Sequence, residues 1–117
     1  MAETTQLELV TPIRIMAQQA VEMVVVPGVE GFFGVLPRHA PLLADLKRGV
    51  VEIHENGKIT DRYIIDGGLA DVSAESITIL AERAISLGSA SAEQLKIQAA
   101  EASSDEADFL NAAISAF

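Results

Sequence analysis

Two histidines, three evenly spaced glycines and several neighbouring carboxylates are the residues on which chemistry could be built. His39 lies between Arg38 and Ala40, just ahead of Pro41, and His54 lies in a stretch whose alternation turns it outward. A metal site or a proton-transfer base needs a second converging group. Two lone histidines with no HxH or HxxxH spacing do not supply one. Gly28, Gly31 and Gly34 follow neither GxGxxG nor GxxxxGK[ST]. No helix follows them to offer an anion its N-terminus, so they read as turns between strands. Glu52 with Glu55, Asp61 with Asp66, and Asp105 with Glu106 and Asp108 could be paired on paper. The first two sets fall at exposed or turn positions, and the third opens a helix, where the dipole favours acids. A glycosidase-like acid pair also needs an aromatic-lined cleft, and the chain has only five aromatic residues. Catalytic, metal and nucleotide-binding residues are therefore assigned to none, and no cofactor is expected. One pair stands out for a different chemistry. Phe32 and Phe33 are adjacent on a short apolar strand, so one enters the core while the other points outward as an apolar anchor for a partner.

These residues belong to a segment shaped by its backbone. Three glycines and three prolines fall between Pro27 and Pro41. Glycine reaches positive φ at little steric cost and proline locks φ near −65°. Such density demands one particular path, and predicts a presented loop-and-strand surface rather than a pocket. Around it, residues up to about Gly88 read as β. Gln6–Thr11 alternates, with Leu7 and Leu9 on one face. Ile13, Ile15 and Ala17 alternate beyond Pro12. Val21–Val26 is β-branched, and Phe32–Leu36 is short and apolar. Val50–Ile65 forms a hairpin about Asn56-Gly57, the pair a type I′ turn prefers. Gly67-Gly68 begins another turn, and Leu69–Ser73 with Ile77–Ala81 makes a further hairpin across Ala74-Glu75. Many short strands at this spacing predict an antiparallel sandwich or flattened barrel.

The period changes after Gly88-Ser89-Ala90. Ser91-Ala92-Glu93-Gln94 has capping-box form, and Ala92, Leu95, Ala99 and Ala102 share a face. A second box, Ser103-Ser104-Asp105-Glu106, starts another helix, in which Leu110, Ile114 and Phe117 recur with helical spacing. Each helix is about three turns long and marginal alone, so the two must pack on each other or on the sandwich. The expected division is a β-sandwich over 1–88 and a helical hairpin over 89–117.

The whole chain bounds the function. At 117 residues it holds one domain or one with a small appendage. It has no cysteine, which excludes thiolate chemistry and disulfides. Seventeen acids against eight bases give a net charge of −9, which disfavours nucleic acid and suits a basic protein partner. No run is apolar enough for a membrane-spanning helix, and the first residues show no targeting pattern.

The stretch PGVEGFFGVLPRHAPLLADLKRGVV, followed by IIDGGLAD at Ile64–Asp71 and the hairpin Val72–Ala81, resembles the epsilon subunit of bacterial F-type ATP synthases, the counterpart of the mitochondrial delta subunit. The family pattern is a Gly-x-x-Gly turn, then GxLPxHAPLL, then a basic-Gly pair and a strand. The resemblance runs over nearly the whole chain. It implies a ten-stranded β-sandwich followed by a C-terminal α-helical hairpin. It implies a non-catalytic rotor subunit of the central stalk, coupling the proton-driven c-ring to the gamma subunit and, transiently, to the alpha/beta head. It places the protein on the cytoplasmic face of the bacterial inner membrane, attached only through the complex. The ring-contacting turn would be Val29, Glu30, Gly31 and Phe32, and the gamma-facing surface His39, Ala40, Pro41 and Leu42. Relatives often carry a polar or acidic residue at the position of Phe32. Some also bind ATP through an I/L-D-x-x-R-A motif. Here the matching positions are Ala90, Ser91, Gln94 and Leu95, lacking both acid and arginine, and no basic residue follows Lys96. ATP sensing and inhibition are therefore expected to be weak or absent. The alternative is a nucleotide-sensing regulatory subunit acting through these helices.

Overall fold

The computed structural model describes residues 3–117. Ten strands precede two helices: β1 Thr5–Val10, β2 Ile15–Val21, β3 Met23–Gly28, β4 Gly31–Val35, β5 Leu42–Leu46, β6 Gly49–Glu55, β7 Lys58–Ile65, β8 Gly68–Val72, β9 Ser76–Ala81, β10 Ala84–Ser86, α1 Ala92–Glu101 and α2 Ser104–Ser115. Hydrogen bonding joins the strands in the order β10-β7-β6-β3-β5-β8-β9-β1-β2, with β4 on the other side of β3. The sequence folds over where β3 meets β5, which it does through one residue pair, Gly28 and Leu46. Two layers result. Val24, Val26, Val51, Ile53 and Ile65 from one layer pack with Leu7, Leu9, Val72, Ile77 and Ile79 from the other in a single core. These are the alternate positions of their strands, as period-2 patterning requires.

Local chemistry explains the hairpins. Asn56 and Gly57 both hold positive φ, 54° and 73°, as a type I′ turn demands. The Glu22 carboxylate accepts from the Asn56 N–H at 2.6 Å and ties this turn to the β2–β3 corner. Between Leu46 and Gly49 the chain does something less common. Gly28 faces Leu46, but Val25 faces Glu52. β5 and β6 thus lie along the same side of β3, and the chain changes layer at Lys47 and Arg48, as strands do at sandwich corners. Gly49 permits this, because a Cβ there would stand 2.7 Å from Pro27 Cβ.

Several expectations need correction. Val21 ends β2 rather than opening a strand through Val26; the chain turns at Glu22 and restarts at Met23. Ile13 lies in the β1–β2 turn and is 89% exposed. Leu42 begins β5, and Ala84–Ser86 forms β10, two strands that the residue pattern did not mark. One pairing, β1 with β9, is parallel, while the other pairs are antiparallel. β2 and β10 end the strand order without pairing to each other, leaving an unbonded seam between the layers.

The hairpin covers the β10 side. Ser91 caps α1, its hydroxyl accepting from Gln94 N–H, and Ser103 caps α2 by accepting from Glu106 N–H. Leu95, Phe109, Leu110 and Ala113 pack on Ile64 and Leu87 in a second cluster. The buried stripe of α2 is therefore Phe109-Leu110-Ala113. Phe117, expected within it, is about half exposed. Among the described residues, no helix is long and apolar enough to cross a membrane.

Candidate partner-binding surface

The β3–β4 turn is a narrow projection. Gly28 pairs with Gly31, leaving Val29 and Glu30 at its tip, and Val29 N–H is held by Asp45 O at 3.0 Å. Gly31 at φ 133° turns the chain back. On β4 the two phenylalanines part as the pleat requires: Phe33 packs against the core, and Phe32 is 61% exposed. Lys47 Nζ lies 5.7 Å from the centre of the Phe32 ring. Val29, Glu30 and Gly31 share a shallow groove of about 310 Å³ with Leu42 and Leu43. So one residue of the expected gamma-facing group, Leu42, joins the expected ring-facing group. Leu43, also exposed, adds to the apolar lining, and sequence reasoning passed over it because it does not alternate in a strand pattern.

His39, Ala40 and Pro41 lie outside that groove, in the turn before β5. Leu36 O accepts from His39 N–H at 3.2 Å, and the ring Nδ1 lies 2.7 Å from Ala40 O. Arg38 takes a left-handed φ of 67°, its N–H bonded to Ala74 O and its guanidinium 2.7 Å from Glu3. His54 sits with Glu52 at 3.2 Å on the outward face of β6. Among the described residues, no ion pair brings a second ionisable side chain to His39, whose ring meets a backbone carbonyl. Among the described residues no acid–histidine cluster has metal-site geometry.

The main polar cluster lies elsewhere, and the sequence did not announce it. Asp66, from the β7–β8 turn, accepts from Arg48 Nε at 2.8 Å and from Arg83 Nε at 2.9 Å, with Arg83 Nη2 in contact as well. Arg83 Nη2 also reaches Asp105 in the first turn of α2 at 3.2 Å. Both guanidiniums stand over the Phe109 ring, 5.8 and 5.0 Å from its centre. At the other end of α2, Arg62 Nη1 donates to Ala116 O at 2.9 Å. The sandwich thus provides α2 with the cation near its carbonyl end that the helix lacks. Burial raises the Asp66 pKa, but the hydrogen bonds and charges of Arg48 and Arg83 outweigh it and hold the carboxyl below its ordinary value. The Tyr63 phenol moves up, first by burial and then by Asp61.

With this geometry in view, the kinship of the chain is decided by comparison. Residues 4–87 match the family described as ATP synthase, Delta/Epsilon chain, beta-sandwich domain. The chain belongs to that family. The ATP synthase epsilon chain of Rhodospirillum rubrum is 47% identical over 103 residues, covering 86% of this chain and 77% of the relative. That of Paramagnetospirillum magneticum is 44% identical over 109 residues, covering 92% and 82%. Among solved structures, a chain of the Euglena gracilis mitochondrial ATP synthase OSCP/F1/c-ring assembly superposes with a TM-score of 0.69 at 27% identity. The match covers 84% of this chain and 62% of that one. A chain from the Tetrahymena thermophila mitochondrial ATP synthase central stalk and c-ring shares the fold, with a TM-score of 0.60 at 14% identity over 74% of this chain and 69% of its own. The delta/epsilon kinship agrees with the resemblance drawn from residues 24–81 and with the sandwich-plus-hairpin fold it implied.

Proposed function

We propose that this delta/epsilon-family chain works in the central stalk of an F-type ATP synthase as a non-catalytic coupling subunit. It transmits rotation of the proton-driven c-ring to the gamma subunit and so to the alpha/beta head. The observation that carries this reading is the projecting β3–β4 turn, braced at its base by Asp45 and Lys47 and exposing Val29, Glu30 and Phe32. A rigid tip with one carboxylate and one aromatic suits the polar loops of a membrane ring, and Val29, Glu30, Gly31 and Phe32 are its contacts. The gamma subunit takes the adjoining surface of His39, Ala40, Pro41 and Leu42. The body 1–88 bears the load and 89–117 forms the hairpin; the family match ending at residue 87 supports that division. The subunit sits on the cytoplasmic face of the membrane, held by the complex.

Cross-linking tests the contacts. The chain has no cysteine. In the assembled enzyme, Glu30→Cys should cross-link to a c subunit and His39→Cys to gamma. Capture of gamma by Glu30→Cys alone would reverse the allocation, and failure of the chain to bind gamma would sink the reading. At the positions of the nucleotide motif, Ser91 is spent on capping Gln94 N–H and Leu95 is buried. Titration of the isolated protein with ATP should therefore show no saturable binding at millimolar nucleotide.

A further inference from the structure

The corner between β5 and β6 is occupied by two consecutive cations that face different parts of the molecule. Lys47 lies over Phe32, on the exposed tip of the β3–β4 projection. Arg48, the next residue, lies over Phe109 of α2 and bonds Asp66. The corner is anchored between them, with Lys47 N–H bonded to Pro27 O at 2.9 Å and Gly49 so close to Pro27 that an added Cβ would stand 2.7 Å from the proline Cβ. A rotation of this short segment that moves Lys47 off Phe32 therefore moves Arg48 against Phe109. The helical hairpin is the element at the far end. It docks through its own cluster of apolar residues, which contains no residue of the sandwich's main core, so it can open while the sandwich stays folded.

We propose that the Lys47–Arg48 corner couples the Phe32 tip to docking of the helical hairpin, so that a partner immobilising Phe32 holds the hairpin more firmly against the sandwich. Linkage makes this reciprocal: a loosened hairpin weakens the partner's hold on the tip. The identity of that partner as the ring rests on the preceding section; the coupling itself is intramolecular and can be read in the free chain.

Amide hydrogen exchange over α2, in the full-length protein, tests it. Arg48→Met should speed α2 exchange by about three-fold, the scale of one partly exposed cation–aromatic contact. Phe32→Leu and Lys47→Met should each speed it by roughly two-fold, and the double variant by no more than the larger single effect, because the two residues act through one contact. Core amides of β1 and β9 should keep their protection in all of them, and Val29→Ser, on the same tip but away from Lys47, should leave α2 unchanged. In the reverse direction, Phe109→Leu should raise exchange at residues 29–33. The proposal is overturned if α2 ignores Phe32→Leu and Lys47→Met, whatever Arg48→Met does, or if Val29→Ser moves it equally. Cross-linking of Glu30 to some partner other than the ring would overturn the assignment of the partner and leave these exchange results standing.

Discussion

Arg38 holds a left-handed backbone angle that costs an ordinary side chain about 1 kcal/mol. Its ion pair with Glu3 is largely exposed and returns little of that. Arg38→Gly should therefore raise stability by up to about 1 kcal/mol, seen as a Tm several degrees higher in a thermal melt. An unchanged or lower Tm would show that the guanidinium contributes more than its exposure suggests. Asp66 carries a prediction of opposite kind. Its pKa is lowered in the folded state, so its contribution is complete above the ordinary carboxylate value of 3.8 and is lost as pH falls further, through the lower folded value. Between neutrality and about pH 5, α2 protection should not vary with pH through this group. Below that it should fall, and Asp66→Asn should remove the acid step while lowering protection at pH 7. Comparing exchange of α2 with that of the β1–β9 pair separates undocking from general acid unfolding.

Within α2, Phe109 does what no charged residue of the helix can. It fills the contact with the sandwich and offers its faces to two arginines that Asp66 holds together. Phe109→Ala should cost about 3 kcal/mol of docking free energy. The readout is exchange across 92–115 rising toward that of a free hairpin while the sandwich keeps its own protection. The legibility of elements follows the range of the forces that fix them. The β6–β7 hairpin was visible in sequence because Asn56 and Gly57 fix the turn locally, and the caps at Ser91 and Ser103 because each hydroxyl serves an N–H three residues on. β5 was missed because four of its five residues are not buried and show no alternation, and β10 because three residues carry no period. The projecting tip was legible from glycine spacing, and the outward turn of one phenylalanine from the pleat. The brace behind it was not: Lys47 reaches Phe32, and Asp66 reaches Arg48 and Arg83 from 18 and 17 residues away, with nothing local to mark the pairing. In α2, helical spacing counted from Leu110 chose Phe117, while the packed stripe starts one residue earlier, at Phe109.

Taken as one body, the molecule is 45 Å long and 26 by 25 Å across, with the hairpin set against one flank of the sandwich. Because the main core draws on strands alone, a chain ending at Gly88 should fold cooperatively, with a Tm lowered by several degrees through uncovering of Ile64 and Leu87. A non-cooperative melt of that fragment would mean that the hairpin is part of the sandwich's folding unit. The corner at Lys47 and Arg48 has a mechanical meaning as well. It is one of five places where the chain passes between the layers, with Glu22, residues 36–41, Asp66–Gly67 and Glu82–Arg83. β2 and β10 share no ladder, yet each is tied to the other layer by a link of only one or two residues. Twisting such a body loads these covalent stitches where hydrogen bonds between the layers are missing. Stiffness in a rotating shaft would then come from the number and shortness of the crossings, set by strand order rather than by any single side chain.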